Sequence, residues 1–350
     1  MLVSAFLRHL VFCAALAGVS AMVVTAMMSA RIMDRPDARK AHTLPTPKGG
    51  GVGIVVAFML GITMLYGYAE FSRLADGYFR GVILASFLIA VVAFLDDLRD
   101  WPFVVKLAAQ TLAAAAAVGS GLYLRTANLP YFGAVELGWF GIAATLAWLL
   151  FVTNAMNFID GLNGLAAGTA LVACGFLAFV AAGQGGWFVY FAAMLLAAGL
   201  IGFLPFNFPR ARIFMGDVGS QFCGFVLAVL GIAAARFDAV IMSFLLVPCL
   251  LGGVLYDVAF TLVRRTLAGE RITQAHRGHL YQVAQRSGMD ARWVATVHWG
   301  FAALGGLVCI AFVQAPSDAK VVLPLLLLLP QLLWTAVVVV LAQRAGLGRW

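Results

Sequence analysis

Apolar runs of about twenty residues, the length that crosses a bilayer as a helix, recur from one end of this chain to the other. No polar stretch between them is long enough to bury a core of its own. Of 350 residues, 63% are hydrophobic and 11% charged, whereas soluble domains carry about 25% charged residues. The expected fold is therefore an all-α polytopic integral membrane protein, a single unit over residues 1–350. Eleven transmembrane helices are expected, at 8–30, 50–68, 79–95, 104–124, 137–157, 164–183, 187–206, 218–236, 239–263, 291–314 and 319–342. The first run follows Arg8 as a signal peptide would, but it continues to about Met28 with no small-x-small stop. It reads as an uncleaved span. Cys13, Cys174, Cys223, Cys249 and Cys309 all sit in apolar runs without paired spacing, which argues against disulfides and a zinc site.

Sidedness follows from the basic residues. Seventeen of the 23 Lys and Arg fall after spans 1, 3, 5, 7 and 9 or in the C-terminal tail, and six fall on the other side. Cytoplasmic loops carry the excess, so the N-terminus is expected to be periplasmic and the C-terminus cytoplasmic. A ten- or twelve-span count would scramble this asymmetry. The net charge of +8 belongs to these loops and implies no nucleic-acid partner. The unusual polar segments obey the same parity: "DRPDARKAHTLPTPKGGG", "DDLRD", "NAMNFIDGLNGL", "PFNFPRARIFMGDVGS" and "HRGHLYQ" follow spans 1, 3, 5, 7 and 9. One cytoplasmic site built from loops 31–50, 96–106, 154–164, 207–220 and 264–290 is expected. A secondary transporter would instead place ionisable groups near the midplane.

Each segment has a plainer alternative. In "DDLRD", Asp96 and Asp100 share a helical face while Asp97 points about 100° away. Adjacent carboxylates repel and favour a cation or a bound proton, unless this is only a solvated helix end. Lys106 could pair with these acids, meet a phosphate, or anchor the interface. Asn154, Asn157 and Asp160 recur every three residues inside an apolar run and need partners; a polar helix seam is the alternative. Asn163 is suited to reading a base edge or a sugar. Asp217 sits in a Gly-Asp-x-Gly-Ser turn, either as a helix cap or as a ligand for Mg²⁺, which takes one or two carboxylates plus phosphate oxygens. Phe214 could stack on a base or face lipid. His276, Arg277 and His279 form a compact cationic set in the longest loop, and Arg suits bidentate phosphate contacts. The basic and glycine-rich first segment is weak as a phosphate loop, and a juxtamembrane stretch on anionic lipid is its alternative.

Together these segments resemble the polyprenyl-phosphate N-acetylhexosamine-1-phosphate transferases over residues 34 to about 285. "DDLRD", "NAMNFIDGLNGL" and "FMGDVGS", in that order, carry the resemblance. "HRGHLYQ" departs from the three-histidine signature of the peptidoglycan branch, which argues against a MurNAc-pentapeptide donor; the eleven-span count is similar to the bacterial GlcNAc-1-phosphate branch. The resemblance implies transfer of N-acetylhexosamine-1-phosphate from a UDP-sugar to undecaprenyl phosphate with release of UMP. This is the first membrane step of O-antigen or another envelope polysaccharide, at the bacterial inner membrane. It implies Mg²⁺, with Mn²⁺ as the alternative, and leaves a homodimer open. By motif position, Asp217 would bind the metal with Asn157 as second ligand. Asp96 would accept the proton of the lipid phosphate or orient it, and Asp97 would support the metal and phosphate region. Lys106, His276, Arg277 and His279 would hold pyrophosphate and sugar; Asn163 and Phe214 would read uracil; Asn154 and Asp160 would line the nucleotide site. Direct attack by the lipid phosphate is preferred over a covalent Asp intermediate. A prenyltransferase would need a second aspartate-rich motif of the same form, and "DGLNGL" does not continue as a CDP-alcohol phosphotransferase motif would.

Overall fold

Hydrocarbon offers no water to backbone N–H and C=O groups, so apolar runs that cross it must satisfy them internally, as helices do. The computed structural model describes residues 2–34, 44–67, 77–129, 133–236, 242–271, 274 and 276–348. Residues 35–43 of the first polar segment, with Arg35, Arg39 and Lys40, lie outside the described residues, as do Arg73 and Arg349. The helices are α1 (Leu2–Ala30), α2 (Gly51–Gly67), α3 (Gly77–Arg99), α4 (Phe103–Gly119), α5 (Gly138–Ile159), α6 (Leu165–Gln184), α7 (Trp187–Asn207) and α8 (Gly216–Arg236). They continue as α9 (Leu246–Leu250), α10 (Gly252–Leu267), α11 (Leu280–Arg286), α12 (Ala291–Gln314), α13 (Ala319–Val322) and α14 (Leu328–Arg344). A 3-10 helix, Leu323–Leu327, joins α13 to α14 in one helical run, Ala319–Arg344, and there are two short antiparallel pairs: β1 (Met33–Asp34) with β2 (Thr46–Pro47), and β3 (Thr126–Leu129) with β4 (Gly133–Glu136).

Among the described residues, eight helices are long and apolar enough to cross a membrane. Three expected spans take a different form. Those at 50–68 and 104–124 become the 17-residue helices α2 and α4. The second stops where Gly121 turns the chain at φ +98°. The span expected at 239–263 is broken at Leu251 into α9 and α10. Pro248 sits in the first turn of α9, where its missing N–H marks the start of that helix rather than its end, and Gly252–Gly253, which weaken a helix, follow the break. The break lets α10 approach α12, for a Cβ on Gly253 would meet the Phe301 ring.

α8 is the axis of the bundle. Every residue from Val218 to Ala234 is buried, as a helix apolar on all faces must be. It packs on α5, α3 and α2, while α7 lies against α1, α2 and α6, and α12 closes on α6. By contrast, α1 buries only 17% of its apolar window and turns the rest outward. The C-termini of α3, α5 and α7 and the N-termini of α2, α4 and α8 meet at one end, which gathers the polar segments.

The α5–α8 contact depends on a missing side chain. A Cβ on Gly224 would lie 2.9 Å from Met156 Cβ and Thr153 Cα. Gly224→Val is expected to destabilise the protein by about 1–3 kcal/mol through overpacking, read as a lower thermal midpoint in detergent. Gly175, where a Cβ would meet nothing within 4 Å, is the matched control: Gly175→Val should leave the midpoint near wild type.

Candidate active site

All five polar segments line one cavity of about 310 Å³. Lys48 comes from the first; Asp96, Asp97, Asp100 and Lys106 from the second; Asn157, Asp160 and Asn163 from the third; Phe214 and Asp217 from the fourth; and Arg277 from the fifth. The first and fourth segments are joined by backbone. Phe214 N–H donates to Pro47 O at 2.8 Å, Gly50 N–H to Phe214 O at 2.9 Å, and Gly51 N–H to Met215 O at 2.8 Å. The glycine run thus serves close approach: a Cβ on Gly51 would collide with the backbone of Gly219.

The α3 carboxylates are buried, Asp96 at 2% and Asp97 at 6% exposure, so each needs compensating donors or charge. Asp96 Oδ1 accepts from the Trp101 N–H at 2.8 Å, and its Oδ2 contacts the Lys106 ammonium. The same ammonium lies 3.1 Å from Asp217 Oδ2. Asp97 Oδ2 accepts from the Val218 N–H at 3.1 Å, in the first turn of α8, where the helix dipole favours an anion. Lys48 stands 3.6 Å from Asp97 Oδ1 and 3.5 Å from Asp100 Oδ1. Gly216, at φ +74°, makes this approach possible, since a Cβ there would meet the Asp97 carboxylate.

With Asp97 serving the start of α8 from another helix, Asp217 turns to side chains. Its Oδ1 accepts from Asn157 Nδ2 at 3.0 Å, and its Oδ2 accepts from Gln221 Nε2 at 3.2 Å as well as from Lys106. Asn157 Nδ2 also reaches Ser220 Oγ at 3.0 Å. Asp160 lies just past α5. Burial, and then the charges of Asp217 and Asp97, hold its carboxyl well above the usual range. Among the described residues no three His, Cys, Asp or Glu side chains form a complete metal cage. Mg²⁺ does not require one, because it keeps waters and takes substrate phosphates beside one or two carboxylates. Asp217, with Asn157 against it and Asp97 nearby, is a donor set of that kind.

Other expected residues take different places. Asn163 lines the cavity, with Nδ2 3.4 Å from Pro209 O. Of the cationic trio only Arg277 lines it. His279 is the N-cap residue of α11, and its ring is drawn away to Asp257, with Nδ1 3.1 Å from Oδ1. Asp257 also accepts the N–H groups of Leu280 and Tyr281, each at 3.0 Å. His276 Nδ1 accepts from Gly278 N–H at 3.2 Å. Burial, then His279, Arg265 and Arg264, push its pKa down to about 4, so it is neutral at ordinary pH. Asn154 does not line the cavity: its Nδ2 donates to Gln110 Oε1 at 2.7 Å and to Leu150 O at 2.8 Å.

Sequence reasoning passed over Lys48, Gln282 and Gln285, which line the cavity, and Asp257, which anchors α11. An aspartate inside the apolar run 239–263 was the available signal for Asp257. Removing it should loosen the loop that carries Arg277. Asp257→Ala leaves several buried donors unmet, at about 1–3 kcal/mol each. The expected outcome is faster tryptic cleavage at Arg271 and Arg277 with helix content unchanged by circular dichroism.

Comparison with known proteins adds to the geometry. Residues 79–235 match the family description "Glycosyl transferase family 4". The chain is 30% identical over 261 residues to the Bacillus subtilis protein named "Probable undecaprenyl-phosphate N-acetylglucosaminyl 1-phosphate transferase", covering 74% of this chain and 71% of that one. It is 31% identical over 349 residues to the decaprenyl-phosphate N-acetylglucosaminephosphotransferase of Mycobacterium tuberculosis, covering 88% and 85%. A Thermotoga maritima undecaprenyl-phosphate alpha-N-acetylglucosaminyl 1-phosphate transferase is 29% identical, with 73% of each chain covered. Similarity of this extent shows the family: the chain belongs to the polyprenyl-phosphate N-acetylhexosamine-1-phosphate transferases, glycosyl transferase family 4, and is an enzyme of the sugar-1-phosphate transferase class.

Proposed function

We propose that the protein transfers N-acetylhexosamine-1-phosphate from a UDP-sugar to undecaprenyl phosphate, releasing UMP and leaving a lipid-linked diphosphosugar for O-antigen or another envelope polysaccharide. The names of the relatives favour N-acetylglucosamine as the sugar. The observation that carries the reading is the company of Lys106. Its ammonium joins two carboxylates in the cavity, while Leu98, Phe103 and Val104 nearby are 47%, 46% and 74% exposed. A phosphate on a long hydrocarbon fits a charged cavity with an apolar flank; a wholly soluble substrate does not need the flank. Eleven spans, a periplasmic N-terminus and a cavity facing the cytoplasm of a bacterial inner membrane complete the proposal, supported by the basic-residue asymmetry.

In this reading the lipid phosphate oxygen attacks the sugar-bearing phosphorus of the donor, and the bond to the UMP oxygen breaks. Asp96 orients the lipid phosphate or takes its proton. Its two oxygens are already held by Trp101 N–H and Lys106, which favours that role over covalent attack. Lys106, Lys48 and Arg277 supply positive charge to the transferring phosphate. Beside Asp160, whose carboxyl burial holds toward its neutral form, five aspartates line the cavity against these three cations, so an anionic donor is favoured by a further cation. Mg²⁺, held by Asp217 with Asn157, would polarise the pyrophosphate and stabilise its leaving oxygen. Asn163 and Phe214 face the uracil, with Asp160 beside the nucleotide.

Purified protein should release UMP only when Mg²⁺, a polyprenyl phosphate and a UDP-N-acetylhexosamine are all present; no UMP with any such donor would sink the reading. Asp217→Asn should lower turnover at least about 100-fold at ordinary Mg²⁺. Arg277→Ala should raise the donor KM about 10- to 100-fold, the range of a charge-assisted hydrogen bond. An unchanged KM would remove Arg277 from donor binding.

A further inference from the structure

Below the cavity lies a second polar layer that no step of the proposed reaction uses. α4 carries Lys106 and, one turn deeper, Gln110. α8 carries Asp217 and, one turn deeper, Gln221. α5 carries Asn157 and, about one turn deeper, Asn154. The upper members line the cavity; the lower ones do not. Gln110 and Gln221 are each 4% exposed.

The lower layer is a chain of amides with one direction. Asn154 Nδ2 donates to Gln110 Oε1 at 2.7 Å, Gln110 Nε2 to Gln221 Oε1 at 2.9 Å, and Gln221 Nε2 to Asp217 Oδ2 at 3.2 Å. Chemistry fixes this order. A carboxylate only accepts, so Gln221 must present its nitrogen to Asp217 and its oxygen to Gln110. Gln110 must then present nitrogen to Gln221 and oxygen to Asn154. At the far end Asn154 also donates to Leu150 O at 2.8 Å, and a carbonyl likewise only accepts. Both ends are closed by obligate acceptors, so no amide can flip without setting oxygen against oxygen.

A polar seam that merely holds helices together has no need of a direction or of a carboxylate at its end. We infer that Gln221 and Gln110 are positioning residues that hold the Asp217 carboxylate in place for a divalent cation, with Asn154 as the fixed far end of the relay. This rests on the reading of Asp217 as a metal carboxylate. Lys106 shares Oδ2 with Gln221 and is also asked to meet phosphate. The Gln221 amide is the donor on Oδ2 that has no substrate to follow.

The test is titration of Mn²⁺ alone by electron paramagnetic resonance on purified full-length protein. It is paired with the Mg²⁺ dependence of UMP release. Gln221→Met and Gln110→Met keep shape and remove the donor. Gln221→Met should weaken Mn²⁺ binding by about 10- to 100-fold, the usual effect of losing a partner of a metal ligand, and Gln110→Met, which acts one hydrogen bond further away, by about 2- to 10-fold, the range of one neutral hydrogen bond. Each should raise the half-saturating Mg²⁺ similarly, with kcat at saturating Mg²⁺ within about threefold of wild type. The double variant should be no weaker than Gln221→Met alone, because Gln110 acts only through Gln221. Tyr256→Phe removes a hydrogen bond to Thr335 Oγ1 away from the cavity, and should leave Mn²⁺ binding unchanged. Unaltered Mn²⁺ affinity in a folded Gln221→Met, additive losses in the double variant, or an equal loss in Tyr256→Phe would each overturn the inference. If Gln221→Met does not fold, Gln110→Met, which does not touch Asp217, decides by the same measurement. A wild type that binds Mn²⁺ but releases no UMP defeats the transferase reading alone, and the Mn²⁺ series still decides the relay.

Discussion

One ammonium group between a buried carboxylate and a partly exposed one is the interaction on which this end of the bundle depends. Lys106 ties Asp96 of α3 to Asp217 of α8 from its own place on α4. In a partly enclosed cavity the repulsion between two carboxylates is stronger than in bulk solvent, and the lysine charge offsets it where α3 and α8 bring their acids together. An ion pair offsets its own desolvation only if the remaining lone pairs also find donors. Trp101 N–H, Asn157 and Gln221 provide them. The helical spacing of polar residues on α4, α5 and α8 follows from that requirement.

Backbone proximity is the second requirement, and glycine supplies it. Gly51 meets Gly219, and Gly216 meets the Asp97 carboxylate, where any side chain would intrude. The consequence is electrostatic as well as steric. Asp97 reaches the first turn of α8 and accepts its Val218 N–H, which leaves Asp217 free to turn into the cavity. A single aspartate could not both cap that helix and face a substrate; two aspartates from different helices divide the work.

Much of this was legible in the sequence because it is a matter of parity. Polar segments on loops of one parity must share a side, and all five line the same cavity. Asp96, Asp97, Lys106, Asn157, Asp160 and Asp217 were legible as interruptions of apolar runs. Periodicity could not say which way a side chain turns once its neighbours arrive. Asn154, on the same spacing as Asn157, faces Gln110 rather than the cavity. His279 faces Asp257, from a helix more than twenty residues earlier in the chain. The span expected at 239–263 looked continuous because its residues are apolar, and hydropathy does not register that Pro248 suits the start of a helix and that Gly252 and Gly253 weaken one. Lys48 was hidden for another reason: beside several basic residues in a juxtamembrane stretch, one more lysine carries no signal until the α2 approach sets it against Asp97 and Asp100.

The pairing of donors with acceptors also bears on how the cavity treats a phosphate. Asp96 has one oxygen on a backbone amide and the other on Lys106, and Asp97 has one on a backbone amide with Lys48 near the other. The backbone partners are fixed by the fold, whereas the lysines sit on flexible stems. An arriving anion therefore competes for the lysines and not for the amides. When a lysine is drawn toward it, each carboxylate keeps one donor but loses its countercharge, and the local field becomes more negative at that moment. In the proposed reading, such a cavity would disfavour an anion that comes alone and favour one that brings a divalent cation with it. The proposed preference for a metal-bound phosphate would then reside in which partners of the aspartates can move and which cannot.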